Sequence, residues 1–210
     1  MSVTAIIPAY NEEKYISNVL KVLKQVEEIN QIIVVSDGSN DNTAQEALNW
    51  GVQVIALREN TGKGGALTIG LKYALEDIVL FLDADLIGLT KQHIQDLIKP
   101  VLVGQVEMTV GIFENGRLAT DMAQLISPHL SGQRCLKKKW LVQINSLAVS
   151  GFGVETVLNN FAQQNKLPTV IVQLSNLSHV MKEEKFGLVR GFAYRMKMYW
   201  EIAKILRLGG

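Results

Sequence analysis

The chain has 210 residues, which is enough for one large domain or two small ones with a substantial buried core. Apolar residues make up 48% of it, and 21 basic residues nearly balance 20 acidic ones, which argues against a nucleic-acid partner. The single cysteine, Cys135, excludes an internal disulfide and a multi-cysteine zinc site and favours a reducing compartment.

The N-terminal stretch "MSVTAIIPAY" has no basic region and no long apolar core, so we expect no signal peptide. No apolar run approaches the roughly 20 residues that a membrane-spanning helix needs. These features predict a cytoplasmic protein, at most peripheral to the inner face of a membrane.

Apolar periodicity in the first half predicts strands and helices in alternation. The predicted strands are "VTAIIPA", "QIIVVSD", "VQVIALR" and "DIVLFLDAD", and the predicted helices are "EEKYISNVLKVLKQV", "DNTAQEALNWG" and "GKGGALTIGLKYAL". This order predicts an α/β fold in which a mostly parallel central sheet carries helices on both faces.

The second half is less regular. It contains strand-like "QVEMTVGIF" and "LPTVIVQL", helix-like "GVETVLNNFAQQN", and a long helical stretch at the C-terminus. No repeat, low-complexity tract or linker interrupts the chain, so we expect a single domain over residues 1–210.

Polar residues follow each of the first four predicted strands, in "PAYNEE", "SDGSNDNT", "RENTGKGGA" and "DADL". Any one of these segments is explained by ordinary turn chemistry. In open α/β sheets, however, ligands bind beyond the carboxyl ends of the strands. Four such segments at one edge therefore predict a binding site there.

Two features of this edge indicate phosphate and metal chemistry. Asp83 and Asp85 repel each other unless a cation lies between them or both point into water at a turn. Lys63 lies among glycines at a predicted helix start, where backbone can approach an anion closely. A simple turn is the alternative for this loop, and its spacing is not that of a Walker loop.

The ordered set "IIPAYNEE", "VVSDGSNDNT", "NTGKGGALTIGL" and "FLDADL" resembles the nucleotide-sugar-binding half of a family 2 glycosyltransferase with the GT-A fold. The later segments "SGQRCLKK", "GFGVETVL" and "LSHVMKEEK" resemble the acceptor-side elements of polyprenyl-phosphate glycosyltransferases and glucosyl-3-phosphoglycerate synthases. The resemblance implies a nucleotide-sugar-binding half over residues 1–90 and an acceptor half over 91–187. The apolar stripe and the basic residues of the last segment predict a C-terminal amphipathic helix over 188–210.

The resemblance also implies a donor site. Asp37 would contact the base, where its oxygens suit the imide N–H of uracil or the N–H groups of guanine. Glu12 would meet the ribose or base, although Asn11 and Glu12 could instead simply start the first helix. The full set of implied donor contacts is Pro8, which would end the first strand, with Ala9, Tyr10, Glu12, Asp37, Gly62, Lys63, Asp83 and Ala84.

In such enzymes the two aspartates hold a divalent cation against the donor diphosphate, and their hard oxygen ligands suit Mg²⁺ or Mn²⁺. Asp85 would be the direct ligand, and Asp83 would face the sugar or ribose. His179 resembles the histidine that completes the metal site in phosphoglycerate-type enzymes, although a lone histidine is more often structural.

On the acceptor side, the resemblance implies contacts from Gly132, Arg134 and Lys137, with a solvated basic face as the alternative. Glu155 is the carboxylate that would act as a base in inverting relatives. An acceptor phosphate is already ionised and needs little base catalysis.

These features predict a metal-dependent hexosyltransferase that moves a sugar from a nucleotide donor, a UDP-sugar, to a phosphate-bearing or polyprenyl-phosphate acceptor. The alternatives are a haloacid-dehalogenase-like phosphatase, which also uses a D-x-D motif, and a non-catalytic nucleotide-sugar-binding relative. The basic amphipathic C-terminus would contact an anionic membrane, or would pack on the domain or on a second copy in a homodimer.

Overall fold

The structure is a computed structural model that describes residues 2–113, 131–144, 147 and 153–179. The described residues up to Ser178 belong to one compact unit, and His179 is the sole described residue of the unit that follows. The predicted helix over 188–210 lies outside the described residues. None of the described helices is long and apolar enough to cross a membrane.

The described strands and helices alternate through most of the chain. The strands are β1 (Val3–Ala9), β2 (Ile29–Asp37), β3 (Gln53–Leu57), β4 (Ile78–Phe81), β5 (Leu86–Ile87), β6 (Met108–Phe113), β7 (Arg134–Lys137), β8 (Thr169–Leu174) and β9 (Ser178–His179). The helices are α1 (Ile16–Leu23), α2 (Thr43–Asn49), α3 (Gly62–Lys72), α4 (Lys91–Leu102), α5 (Lys138–Leu141) and α6 (Val154–Gln164).

Seven of these strands form one sheet in the order β3-β2-β1-β4-β7-β6-β8, and β5 and β9 form a separate pair. Within the large sheet β7 runs antiparallel to both of its neighbours, and every other pairing that the structure describes is parallel. The expectation of a mostly parallel sheet is confirmed.

Helices cover both faces of this sheet because successive strand residues point to opposite sides. Ala5 and Ile7 of β1 pack in one buried cluster with apolar residues of α1, α2 and α4. Ile6, between them, packs in a second cluster with residues of α3, α5 and α6. The two apolar layers confirm the predicted arrangement.

Two predicted boundaries were wrong. Pro8 does not end β1, which continues to Ala9. The Ile6 carbonyl accepts from Leu82 N (3.4 Å), so the backbone of Ile6 faces the strand β4. The Pro8 nitrogen, two residues on, faces the same side, but the last β1–β4 pair is Ile6 with Phe81. The missing N–H of Pro8 therefore costs no hydrogen bond of the sheet. The first helix begins only at Ile16, so residues 11 and 12 form a loop and not its cap.

Five of the described elements were not predicted, namely β5, α4, β7, α5 and β9. Thr90 caps α4 by accepting from His93 N (3.2 Å), and the helix buries Ile94, Leu97 and Ile98. β7 lies in the middle of the sheet, in a segment that resembled an acceptor loop. Its position divides the basic residues of that segment between two edges of the sheet.

Candidate active site

The candidate site lies at the carboxyl ends of β1, β2, β3 and β4, called here the site edge of the sheet; the amino ends of these strands form the opposite edge. These four strands are mutually parallel, so their carboxyl ends meet at one edge. β7 runs the other way and pairs Arg134 with Phe81, which brings the amino end of β7 to this same edge. The predicted gathering of strand-end residues is therefore the one that the fold produces.

The loops after β1 and β2 are joined by hydrogen bonds. Asn11 N donates to Ser39 Oγ (3.1 Å), and Asn40 N donates to Asn11 Oδ1 (2.8 Å). Glu12 N donates to Thr43 Oγ1 (2.7 Å) at the start of α2. Asn11 has a φ of +57°, a left-handed conformation that asparagine tolerates better than most residues. These hydrogen bonds fix the loop, and Tyr10 is 43% exposed at the same edge.

Asp37 joins the end of β2 to the glycine loop, the segment "NTGKGGA" at residues 60–66. It is buried, and its Oδ1 accepts from both the backbone N–H (2.7 Å) and the hydroxyl (2.8 Å) of Thr61. Gly38 follows with φ +69°, and a Cβ there would lie 2.6 Å from Asn60 N. The β2 and β3 loops therefore meet backbone to backbone, and Asp37 holds the N-terminus of α3 at the edge.

Lys63 lies between two carboxylates from distant parts of the chain. Its Nζ is 2.5 Å from Asp83 Oδ1, just past β4, and 2.7 Å from Glu155 Oε1, in the first turn of α6. The fold thus brings three of the predicted site residues into direct contact, although Lys63 and Glu155 are 92 positions apart in the chain.

The segment that enters β7 closes over this group. Gln133 is fully buried, and its Nε2 donates to Asp83 Oδ2 (3.1 Å). A Cβ added at Gly132 would overlap Lys63 Nζ and lie 2.7 and 2.8 Å from the two Asp83 oxygens. Glycine is therefore needed at position 132 because the Lys63–Asp83 pair occupies the space of a side chain.

The charges of this group stabilise one another. Burial by itself lowers the pKa of Lys63, but the carboxylates of Asp83 and Glu155 outweigh it and raise that pKa above its usual value. Burial by itself raises the pKa of Glu155, but chiefly the charge of Lys63 holds it below the usual value. Arg134 is 1% exposed, and burial lowers its pKa to about 10, opposed by the charge of Glu155. Lys63 and Arg134 thus bring two positive charges to the Glu155 carboxylate.

Asp83 and Asp85 flank the buried Ala84 in the turn after β4, and both are partly exposed. Within the residues that the structure describes, no three His, Cys, Asp or Glu side chains form a metal-binding group. Mg²⁺ commonly binds through one or two carboxylates and substrate phosphates, keeping several waters, so a pair of aspartates fits such an ion. Asp83 accepts from Lys63 and Gln133. The direct ligand role of Asp85, which the resemblance implies, stays a prediction.

His179 was expected to complete the metal site. Its backbone forms the end of β9, and its side chain lies outside the described part of the chain. The predicted ligand role of His179 stays a prediction.

The structure does not bring Lys137 to the site. Lys137 pairs with Ile78 at the amino end of β4, roughly 10 Å along the sheet from Arg134. Its Nζ is 2.6 Å from Glu107 Oε1, and Lys139 Nζ is 3.0 Å from Glu107 Oε2. These lysines bind a structural carboxylate at the opposite edge, whereas Arg134 donates from Nε to Ser131 O (2.8 Å) at the site edge.

Sequence reasoning missed two residues of the site, Thr61 and Gln133. Thr61 carries the usual signal of a residue before a helix, but its partner Asp37 lies 24 positions earlier, at the end of β2. Gln133 stands between the predicted Gly132 and Arg134, and a neutral amide there carries no pattern of its own. Only the pairing of β4 with β7 places it against Asp83.

A mostly parallel sheet with one antiparallel strand in its middle, and paired aspartates after the fourth strand, is the GT-A fold that the sequence predicted. Solved structures agree. Glucosyl-3-phosphoglycerate synthase from Mycobacterium tuberculosis, bound to Mn²⁺, UDP and glucosyl-3-phosphoglycerate, has a TM-score of 0.71 at 26% identity, over 85% of this chain and 72% of that one. The complex of the same enzyme with Mn²⁺, UDP-glucose and phosphoglyceric acid has a TM-score of 0.70 at 26% identity, with 85% and 71% coverage.

Residues 4–152 match the sequence model of glycosyl transferase family 2, and the chain belongs to this family. A stretch of 113 residues is 41% identical to an uncharacterized protein of Methanocaldococcus jannaschii, covering 50% of this chain and 44% of that protein. A stretch of 98 residues is 40% identical to 4,4'-diaponeurosporenoate glycosyltransferase of Staphylococcus haemolyticus, covering 44% of this chain and 26% of the relative. The matches thus span less than half the length of these relatives.

Proposed function

We propose that this chain is a glycosyltransferase that moves a sugar from a UDP-sugar to a phosphate-bearing acceptor with the help of Mg²⁺ or Mn²⁺. The observation that carries the proposal is the position of Asp83, held by Lys63 and Gln133 beside Asp85 at the carboxyl edge of the sheet. The similar synthase from M. tuberculosis binds UDP and Mn²⁺ with the same fold.

In this proposal the nucleotide lies over the loops after β1 and β2. Tyr10 offers an exposed ring, and the backbone around Pro8 and Ala9 leads to it. Asp37 contacts the base through Oδ2, because Thr61 occupies Oδ1. The remaining donor contacts are Glu12, Gly62, Lys63, Asp83 and Ala84.

Asp85, together with His179, would hold the metal ion. A bound divalent cation neutralises negative charge on the nucleoside diphosphate as it leaves. The residues of the chain contribute separately: Asp83 is held rigidly by donors on both oxygens, and Lys63 adds a positive charge beside the N-terminus of α3.

For the acceptor, the charge of Arg134 at the amino end of β7 favours a phosphate. Gly132 would contribute its backbone, since the Lys63–Asp83 pair already occupies the space of a side chain at this position. The similar synthase binds phosphoglyceric acid, which carries such a phosphate. A polyprenyl phosphate presents the same group on a lipid, and an acceptor assay with both kinds of phosphate separates them.

The family match decides against a dehalogenase-like phosphatase. A non-catalytic nucleotide-sugar-binding relative is separated from an enzyme by one experiment. The full chain is incubated with a panel of UDP- and GDP-sugars and with Mg²⁺ or Mn²⁺, and release of nucleoside diphosphate is measured. We expect release from a UDP-sugar that requires the metal and increases with a phosphate-bearing acceptor.

The matched variants are Asp85→Ala and Asp77→Ala. Asp77 is an exposed aspartate just before β4, at the opposite edge of the sheet from Asp85. Asp85→Ala should abolish turnover and the metal dependence of UDP binding, whereas Asp77→Ala should retain both. Equal affinity of the wild type for UDP with and without Mn²⁺ would remove the metal from the proposal.

A further inference from the structure

Glu155 has the strongest claim to a base role by its resemblance, yet its surroundings are those of a fixed anion. Its Oε1 accepts from Lys63 Nζ at 2.7 Å. Its Oε2 lies against Gly153, where a Cβ would overlap it. The residue is 9% exposed. Both oxygens are therefore engaged or covered by the protein.

Three features of the fold stabilise the negative charge of Glu155. Lys63 makes the direct ion pair, and Arg134 adds a second positive charge nearby. The residue also lies in the first turn of α6, where backbone N–H groups favour an anion. Burial opposes these effects, but the pKa of Glu155 remains below its usual value, chiefly because of Lys63. A carboxylate of low basicity is a poor general base, since efficiency increases with a catalytic pKa closer to the working pH.

The second carboxylate on Lys63 explains what Glu155 does instead. Asp83 and Glu155 hold the same ammonium from two sides, at 2.5 and 2.7 Å. A lysine side chain is flexible, and a single carboxylate would leave it several rotamers. With two carboxylates the Lys63 ammonium is restricted to one position, against Asp83 at the carboxyl edge of the sheet.

We infer that Glu155 is a positioning residue that acts through Lys63, holding the ammonium against Asp83, and that it takes no proton from the acceptor. This inference rests on the proposed function for the meaning of Lys63 and Asp83. It accounts for a site that serves an acceptor phosphate, which is ionised already and requires no strong base.

The kinetic test compares Glu155→Gln with Glu155→Leu. The glutamine carbonyl can still accept from Lys63 but cannot serve as a base, whereas leucine removes the acceptor altogether. We expect Glu155→Gln to retain turnover within about tenfold of wild type and Glu155→Leu to lose roughly ten- to hundredfold more. A base role predicts that both variants lose the same roughly 10²- to 10⁴-fold, and that result would overturn the inference. Glu27→Gln, at an exposed position on the opposite edge, is the matched control and should behave as wild type.

A second measurement needs neither turnover nor metal. In protein labelled with ¹³C at glutamate carboxyls, the Glu155 signal is the one that disappears in Glu155→Gln. It should titrate below the ordinary glutamate range in wild type and move upward in Lys63→Met. An unchanged titration in Lys63→Met would show that Lys63 does not hold Glu155, and the inference would fail. If no donor is ever turned over, the proposed function fails while this measurement still decides the Lys63–Glu155 link.

Discussion

Asp37 has two separable roles, and a pair of substitutions distinguishes them. One oxygen of its carboxylate accepts two hydrogen bonds from Thr61 and so fixes the start of α3. The proposed contact with the nucleobase falls to the other oxygen. Asp37→Asn keeps a carbonyl oxygen for Thr61 but replaces the second acceptor with an N–H₂ donor. Asp37→Ala removes both.

The structure sets the size of each effect. Hydrogen bonds to a charged group typically contribute about 1.5–3 kcal/mol, but Thr61 is exposed and water can replace part of its loss. We therefore expect Asp37→Ala to lower the free energy of unfolding by about 1–2 kcal/mol, or roughly 2–8 °C in Tm for a chain of this size. Asp37→Asn should change Tm by less than about 3 °C. Both variants should bind UDP about tenfold more weakly or worse.

The assay is a thermal melt of each variant together with calorimetric titration of UDP in the presence of Mn²⁺. The diagnostic result is Asp37→Asn with wild-type stability and weakened UDP binding. If Asp37→Asn binds UDP and GDP as tightly as wild type, Asp37 does not contact the base and serves only to hold α3. If Asp37→Ala melts as wild type does, the Thr61 bonds contribute nothing measurable.

Three further predictions concern other parts of the molecule. Burial by itself raises the pKa of Glu107, but hydrogen bonds, chiefly from Lys137, lower it from 4.5 to about 2. The ionised Glu107 should stabilise the fold by about 2 kcal/mol above about pH 5, and this contribution should be lost as the pH falls from there towards 2. In urea melts across this range, the free energies of unfolding of wild type and Glu107→Gln should converge at low pH. A difference that stays constant with pH would contradict this prediction. Gly132→Ala should displace Lys63 or Asp83 and weaken UDP binding in the presence of Mn²⁺ by roughly tenfold, with little change in Tm. An unchanged dissociation constant for UDP would show that the Lys63–Asp83 pair is not part of the site. If the basic C-terminus contacts membranes, the full chain should sediment with anionic vesicles at low salt and not with neutral ones. Truncation after Gly187 should abolish the sedimentation with anionic vesicles. A full chain that stays in the supernatant with both kinds of vesicle favours a soluble acceptor.

The sequence by itself determined the local elements of the first half and the chemistry at their ends. The apolar residues of the first four strands and the stripe of α1 have clear periods, and each period reports which faces are buried. Asp83, Asp85 and the glycine loop could be assigned to one edge because parallel strands all end on the same side. Those assignments needed no knowledge of which strand lies beside which.

The tertiary structure decided the partners. Lys63 and Glu155 are 92 positions apart, and no local pattern states that their side chains meet. β7 has only four residues and reads as a basic loop, but its antiparallel pairing in the middle of the sheet sends Arg134 to the site and Lys137 to Glu107 at the opposite edge. Pairing and register depend on contacts between distant segments, whereas periodicity depends on neighbours along the chain. For that reason the strand-end positions of Asp37, Asp83 and Asp85 were predictable from the sequence, whereas the ion pair between Lys63 and Glu155 was not.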